Sequence, residues 1–211
     1  MSDERRFYET PVTGTQRSAP AALRNRGPIS EVLAEWLPKT GLIVEIASGT
    51  GEHSAYFAER FQSLDWQPSD IHPDALESIA ARRAQSGFAN LRPPLTIDAA
   101  ALNWPIHHAD AVLCINMVHI SPWKSALGLL DGADRLLSGG GPLILYGPWL
   151  RAGASTAPSN LAFDADLRMR DPEWGLRKVE DFAAAAKERS FELLEVREMP
   201  ANNLMLLFRH S

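Results

Sequence analysis

Only one cysteine, Cys114, occurs among the 211 residues. A lone thiol cannot close an internal disulfide, so the fold must rest on its packed core, and a reducing compartment suits it. A chain of this length buries roughly 70% of its unfolded surface and needs no covalent or metal staple. Long apolar runs are missing as well. Nothing approaches the ~20 residues that cross a bilayer, and the opening MSDERRFYET lacks the apolar stretch of a secretory signal. Basic runs are also absent: Lys and Arg number 21 against 26 Asp and Glu, a net charge of −5. No cationic stripe is present to track a phosphate backbone. These absences speak against membrane and nucleic-acid partners and predict a cytoplasmic protein, monomer or homodimer, acting on a small molecule. Metal signatures are missing too. His107 and His108 are loop neighbours without a Cys pair or an H-x-x-x-H spacing, so no metal is expected.

What is present is a regular alternation. Residues 1–27 are polar and punctuated by Pro11, Gly14, Pro20 and Gly27, and read as an irregular N-terminal arm before a domain over 28–211. Pro28 suits a first helical turn, and Ile29, Val32, Leu33, Trp36 and Leu37 recur at helical spacing. Strands are expected over 42–46, 64–67, 91–97, 111–118 and 142–146, with helices over 52–61, 73–86, 124–137 and 179–189 between or after them. Such repeats imply a mostly parallel sheet with helices on both faces. At the end, residues 191–198 and 204–209 read as strands joined by a five-residue link, too short for anything but an antiparallel pair. Residues 151–177 read as a long irregular insertion, a length that in a compact domain goes with function.

The densest chemical signal is Glu45-Ile46-Ala47-Ser48-Gly49-Thr50-Gly51-Glu52 at the end of the first parallel strand. Glycines allow a sharp turn and close approach of a ligand, and the following helix points its amide end at whatever binds there. A dinucleotide fold shares this strand–turn–helix. Its G-x-G-x-x-G/A pattern, however, would place Ser54 at the third position. Glu45 would also repel a pyrophosphate, whereas it attracts an ammonium. Asp70 follows Gly51 by 19 residues, near the spacing of a ribose-binding acid in nucleotide folds generally.

The segment E-x-A-x-G-x-G resembles the first motif of class I S-adenosylmethionine-dependent methyltransferases, with Ala47 where the family usually has glycine. Asp70 matches the acid that binds the ribose hydroxyls, and Asp98-Ala99-Ala100 with Trp104-Pro105 resembles the adenine-binding segment. Ile115-Asn116-Met117-Val118-His119 resembles the stretch beside the methionine part, and Gly139–Pro142 the turn before the fifth strand. The resemblance implies a Rossmann-like, seven-stranded, mostly parallel sheet with an antiparallel final hairpin. It also implies S-adenosyl-L-methionine as cofactor, held by Glu45, Ala47, Ser48, Gly49, Gly51, His53, Asp70, Ile71, Asp98, Ala99, Asn116 and Met117. Residues 159–164 and 167–177, together with 18–26, resemble a group of small methyltransferases known as the domain of unknown function 938, which includes methyltransferase-like protein 26.

A substrate site is expected from Arg24, Asn25, Tyr146, Asn160, Phe163, Asp164, Arg168, Trp174 and Arg177, with His119 as the candidate general base, since its ordinary pKa is near 6.5. The arginines fit a small anionic substrate. The expected activity is transfer of a methyl group to a small molecule. The alternatives are a protein or nucleic-acid methyltransferase, a non-catalytic S-adenosylmethionine-binding protein and, less well supported, a nicotinamide-dependent oxidoreductase.

Overall fold

The computed structural model describes residues 9–13, 16–137 and 139–210, with side chains from residue 19 onward. A short antiparallel ribbon, β1 (Glu9–Thr13) with β2 (Gln16–Ser18), leads into α1 (Pro20–Trp36). Then follow β3 (Gly41–Ile46), α2 (Glu52–Arg60), β4 (Leu64–Asp70), α3 (Pro73–Ser86), the two-residue β5 (Leu95–Thr96) and β6 (Ala111–Ile115). Beyond these come α4 (Trp123–Leu136), β7 (Pro142–Gly147), α5 (Pro158–Arg170), α6 (Val179–Lys187), β8 (Phe191–Met199) and β9 (Asn203–His210). The main sheet runs β5-β4-β3-β6-β7-β9-β8. Its first five strands pair in parallel, and β9 lies antiparallel to both β7 and β8. The expected sheet and its reversed hairpin are both present.

Alternation along the strands feeds two cores. Val44, Ile46, Val112, Cys114, Leu143 and Leu145 pack toward α4 and α6. Ile43, Ala111, Leu113, Ile115, Ile144 and Tyr146 pack toward α1 and α2. Each face of the sheet is therefore covered, as a parallel sheet requires. Chain direction from β3 goes first to β4 on one side and later to β6 on the other. The loops leaving β3 and β6 diverge, and the crevice they leave lies at the C-terminal ends of the strands, where open α/β sheets bind ligands.

Several elements differ from the sequence reading: residues 9–13 and 16–18 of the expected irregular arm form the β1–β2 ribbon, and the strand expected over 111–118 ends at Ile115, followed by a 3-10 turn over Met117–His119. The helix expected from Pro28 begins at Pro20, and Pro28 lies inside it. Proline supplies no N–H, so the Arg24 carbonyl loses its helical donor, and Arg24 is exposed to solvent. Residues 1–8 of the expected arm lie outside the described residues. The strand expected over 91–97 shrinks to Leu95–Thr96 plus a bridge at Leu91, because Pro93 and Pro94 cannot donate to a ladder. The insertion at 151–177 is not irregular throughout: α5 occupies Pro158–Arg170, and Leu167, Trp174 and Leu176 form a small core of their own. Among the described residues no helix is long and apolar enough to cross a membrane, and no cluster of three or more His, Cys, Asp or Glu side chains is arranged to hold a metal.

Candidate functional site

The turn after β3 bends through three left-handed residues, Ala47 (φ 57°), Gly49 (φ 57°) and Gly51 (φ 77°). Gly51 opens α2, and a Cβ there would meet the Ile79 backbone at 3.1 Å, so α3 presses directly on this glycine. Gly49 is different: a Cβ on it would meet nothing within 4 Å. Its amide is fixed from the neighbouring strand end, donating to Asp70 Oδ2 at 2.9 Å, while Asp70 Oδ1 accepts the His72 amide at 2.9 Å. Asp70 thus ties the ends of β3 and β4 together. Its burial pushes the carboxyl pKa up, against the amides that lower it.

Around this corner lies a cavity of about 1020 Å³. Glu45, Ala47, Ser48, Gly49, His53, Asp70 and Ile71 reach its lining, as do Asp98, Ala99, Asn116 and Met117. Of the expected cofactor residues, only Gly51 stays behind the wall, because it is occupied by its contact with α3. Glu45 is 1% exposed, and its Oε2 accepts from Trp66 Nε1 (2.6 Å) and Ser54 Oγ (2.8 Å). Desolvation outweighs these donors and raises its pKa to about 7. Asp98 is exposed and its Oδ1 accepts the Ala100 amide at 2.8 Å, so it caps its own turn.

The wall opposite the corner comes from α1. Glu52, at the first position of α2, accepts the Ala19 amide on Oε2 at 2.7 Å, holding the start of α1 over the cavity. Asn25 then reaches in, and His53 Nε2 donates to its Oδ1 at 2.8 Å. The Asn25 side chain is also hydrogen-bonded to the Tyr146 hydroxyl, whose pKa burial raises. His53 is buried, and desolvation, aided by Arg26, lowers its pKa to about 4. Ala19, Ala22 and the Glu52 tie were missed by sequence reading. Nothing in residues 1–27 other than the S-A-P-A-A-L-R-N-R resemblance marks the segment as a cavity wall.

Of the expected substrate residues, Asn25, Tyr146, Asn160, Phe163 and Trp174 line the cavity, and Arg24, Asp164, Arg168 and Arg177 do not. The last three brace the insertion instead. Asp164 accepts the Leu176 amide at 2.7 Å and pairs with Arg168 at 2.9 Å. Arg177 donates to the carbonyls of Val118, Ser121 and Glu173. Asp171, Glu173 and Asn203 line the cavity without having been expected there.

His119 lines the cavity through a residue with no exposed surface. Its Nδ1 accepts the Arg177 amide at 3.3 Å, its carbonyl accepts the Gly175 amide at 2.9 Å, and its ring meets Trp149 edge-on at 4.7 Å. A Cβ on Gly147 would fall 2.4 Å from Nε2, so the imidazole is pressed against that glycine. Burial first, and Arg177 second, lower its pKa to about 3. With Nδ1 accepting, the single proton belongs on Nε2. The ring is thus neutral, with its Nδ1 lone pair engaged and its Nε2 without a hydrogen-bond partner among the described residues, although it lines the cavity. Cys114 is buried, with its pKa pushed up to about 12, and offers no thiolate.

This arrangement, a seven-stranded sheet with a reversed final hairpin and a left-handed Gly corner facing an acid on the next strand, is the class I methyltransferase fold. The sequence profile of the family described as "Protein of unknown function (DUF938)" matches residues 16–210, and the chain belongs to that family. In structure it is similar to an O-methyltransferase family protein from Burkholderia thailandensis, with a TM-score of 0.74 and 17% identity over 90% of this chain and 57% of that one. Mitomycin 7-O-methyltransferase MmcR gives 0.76 and 17%, over 90% and 54%. PigF, solved with SAH, gives 0.75 and 12%, over 89% and 56%. The chain therefore spans little more than half of each of these proteins, and the likeness is one of fold.

Proposed function

We propose that the protein binds S-adenosylmethionine at the corner after β3 and transfers its methyl group to a small molecule held between α1, α5 and the 171–174 turn. The observation that carries this reading is the pairing of an open Gly49, with no atom within 4 Å of a would-be Cβ, with the buried carboxylates of Glu45 and Asp70 on one cavity wall. Dinucleotide binding is poorly served, because a pyrophosphate would meet those carboxylates. The residues fit the adenosyl cofactor. Asp70 accepts the amides of Gly49, His72 and Ile71 and keeps acceptor capacity for a ribose hydroxyl, and Asp98 keeps it for the adenine amino group. Glu45 stands where an ammonium would relieve a desolvated carboxylate. Similarity to solved methyltransferases, one of them with SAH, supports the same reading.

When bound, the cofactor supplies a methyl group already activated by a sulfonium charge. The protein's own contribution is orientation and exclusion of water, which can amount to roughly 7–11 kcal/mol in well-aligned reactions. Asn116, left-handed at φ 64°, and Met117 line the cavity at the end of β6. Tyr146, oriented by Asn25, presents a hydroxyl to the acceptor. His119 holds the insertion against the end of β6, and no side chain is assigned as a base.

The test is a parallel thermal-shift and calorimetric titration with S-adenosylmethionine, S-adenosylhomocysteine and NAD. A ligand at 100 times its Kd should stabilise the fold by ~2.7 kcal/mol. Stabilisation by NAD alone would overturn the proposal.

A further inference from the structure

Proton counting around His119 leaves one group over. Its Nδ1 accepts the Arg177 amide at 3.3 Å, so the neutral ring carries its proton on Nε2, as a donor. Nε2 is buried and has no hydrogen-bond partner among the described residues. Withdrawing an N–H from water without a replacement acceptor is costly, so buried donors of this kind call for an explanation. Among the described residues the other such atom is Trp149 Nε1, and Trp149 does not line the cavity, whereas His119 does. The imidazole is clamped rather than loose. It meets Trp149 edge-on, with ring centroids 4.7 Å apart, and a Cβ on Gly147 would stand 2.6 Å from its Cδ2.

The position of the ring indicates what its donor can meet. His119 lines the cavity at the end of β6 together with Asn116, Tyr146 and Pro148. The point that a Gly147 Cβ would occupy is 2.4 Å from His119 Nε2 and 3.4 Å from Asn116 Oδ1. An N–H donor and a carbonyl acceptor are therefore neighbours on one wall. A carboxylate would satisfy the first and be repelled by the second, and an ammonium would do the reverse. A hydroxyl serves both, since its oxygen accepts while its proton is donated. Burial and Arg177 lower the His119 pKa to about 3, which keeps the imidazole a donor.

We infer that the methyl acceptor is a hydroxyl-bearing small molecule, anchored by a hydrogen bond from His119 Nε2 and one to Asn116 Oδ1. His119 is then a specificity-determining residue, and no proton leaves the hydroxyl in this contact. The inference rests on the methyltransferase reading of the same cavity.

The experiment uses the full chain saturated with S-adenosylhomocysteine, titrated calorimetrically with phenol and, separately, with toluene, two probes of one shape, up to about 5 mM. Phenol is expected to bind at least tenfold more tightly, because a site built around a hydroxyl rejects the analogue that lacks it. Two substitutions separate the donor from the brace. His119→Asn keeps an oxygen where Nδ1 takes the Arg177 amide but has no atom at the place of Nε2, and should bring phenol to within about twofold of toluene. His119→Gln sets an amide N–H near the place of Nε2 and gives up the Nδ1 contact, and should keep a preference of at least about threefold. A residue that only braced the insertion would give the opposite order. In the unsubstituted chain the Nε2 proton, assigned in NMR spectra by its disappearance in either variant, should move downfield with phenol and stay with toluene. S-adenosylhomocysteine affinity reports whether each variant is folded. If one is not, or if both lose the preference, the Nε2 signal alone decides. No phenol binding, equal binding of the two probes, a preference that survives in His119→Asn, or an Nε2 proton unmoved by phenol would each overturn the inference. If the chain fails to bind S-adenosylhomocysteine, the cofactor proposal falls, and the same titrations on the free chain still decide whether His119 holds a hydroxyl.

Discussion

At the scale of single residues, Asp70 and Glu45 carry separable roles. Asp70 holds the Gly49 amide and is assigned the ribose, so Asp70→Ala should weaken S-adenosylmethionine at least tenfold, ~1.4 kcal/mol. Calorimetry measures this directly, and unchanged affinity would remove Asp70 from the ribose. Glu45 has a pKa near 7 and is therefore partly protonated at neutral pH. An ammonium placed beside it favours the ionised form, so cofactor binding at pH 7 should release a fraction of a proton. Binding heats measured in two buffers of different ionisation enthalpy should therefore differ; equal heats would mean that Glu45 does not meet the ammonium. Gly51→Ala asks a steric question instead. Its φ of 77° and the Ile79 backbone at 3.1 Å both oppose a methyl group, and a loss of about 1–3 kcal/mol is expected in urea unfolding.

Among the elements, legibility followed the strength of the local pattern. The helix over 73–86 was readable to the residue because Pro73 opens it and Gly87, at φ 68°, closes it. The turn after β3 was readable because it is contiguous in sequence and its glycines, at φ 57° and 77°, are required by backbone geometry. The start of α1 was not, since Pro20 and Pro28 are equally good first-turn residues and only burial of Ala22 against the domain selects the earlier one. The other end of the cavity was only partly legible, for a related reason. Asp164, Arg168 and Arg177 are polar residues in a long insertion, and sequence alone cannot tell a side chain facing a ligand from one tied to main-chain carbonyls. The bracing has a measurable consequence. Residues 151–157 are mostly exposed, whereas 171–177 are anchored through His119 and Arg177. Limited proteolysis should cut first in 151–157, and Arg177→Ala should add cleavage within 171–177. Equal cleavage of both stretches in the unsubstituted protein would contradict the bracing.

For the molecule as a whole, the buried titratable groups set its response to pH. His53 and His119 have folded pKa values near 4 and 3, below the ordinary 6.5. Folding favours their neutral forms, so the stability they contribute is present above pH 6.5 and is lost as pH falls toward 4 and 3. Each shift corresponds to on the order of 3–5 kcal/mol. Glu45 has the opposite sign. Its pKa is raised from 4.5 to about 7, so its contribution is present below 4.5 and lost as pH rises through 7. Urea midpoints should change little from pH 8 to 6.5 and fall steeply below about 5.5. A midpoint constant from pH 6.5 to 4 would show that the two imidazoles are not held neutral.

The two ends of the cavity are built from different stretches of chain. The end proposed for the adenosyl group comes from residues 45–125, and the other end comes chiefly from α5, the 171–174 turn and the start of β9. α5 and that turn pack on a small core of their own, separate from the corner after β3, and Phe163 and Trp174 belong both to that core and to the cavity wall. On the methyltransferase reading proposed above, the acceptor end can therefore be rewritten while the donor end is kept.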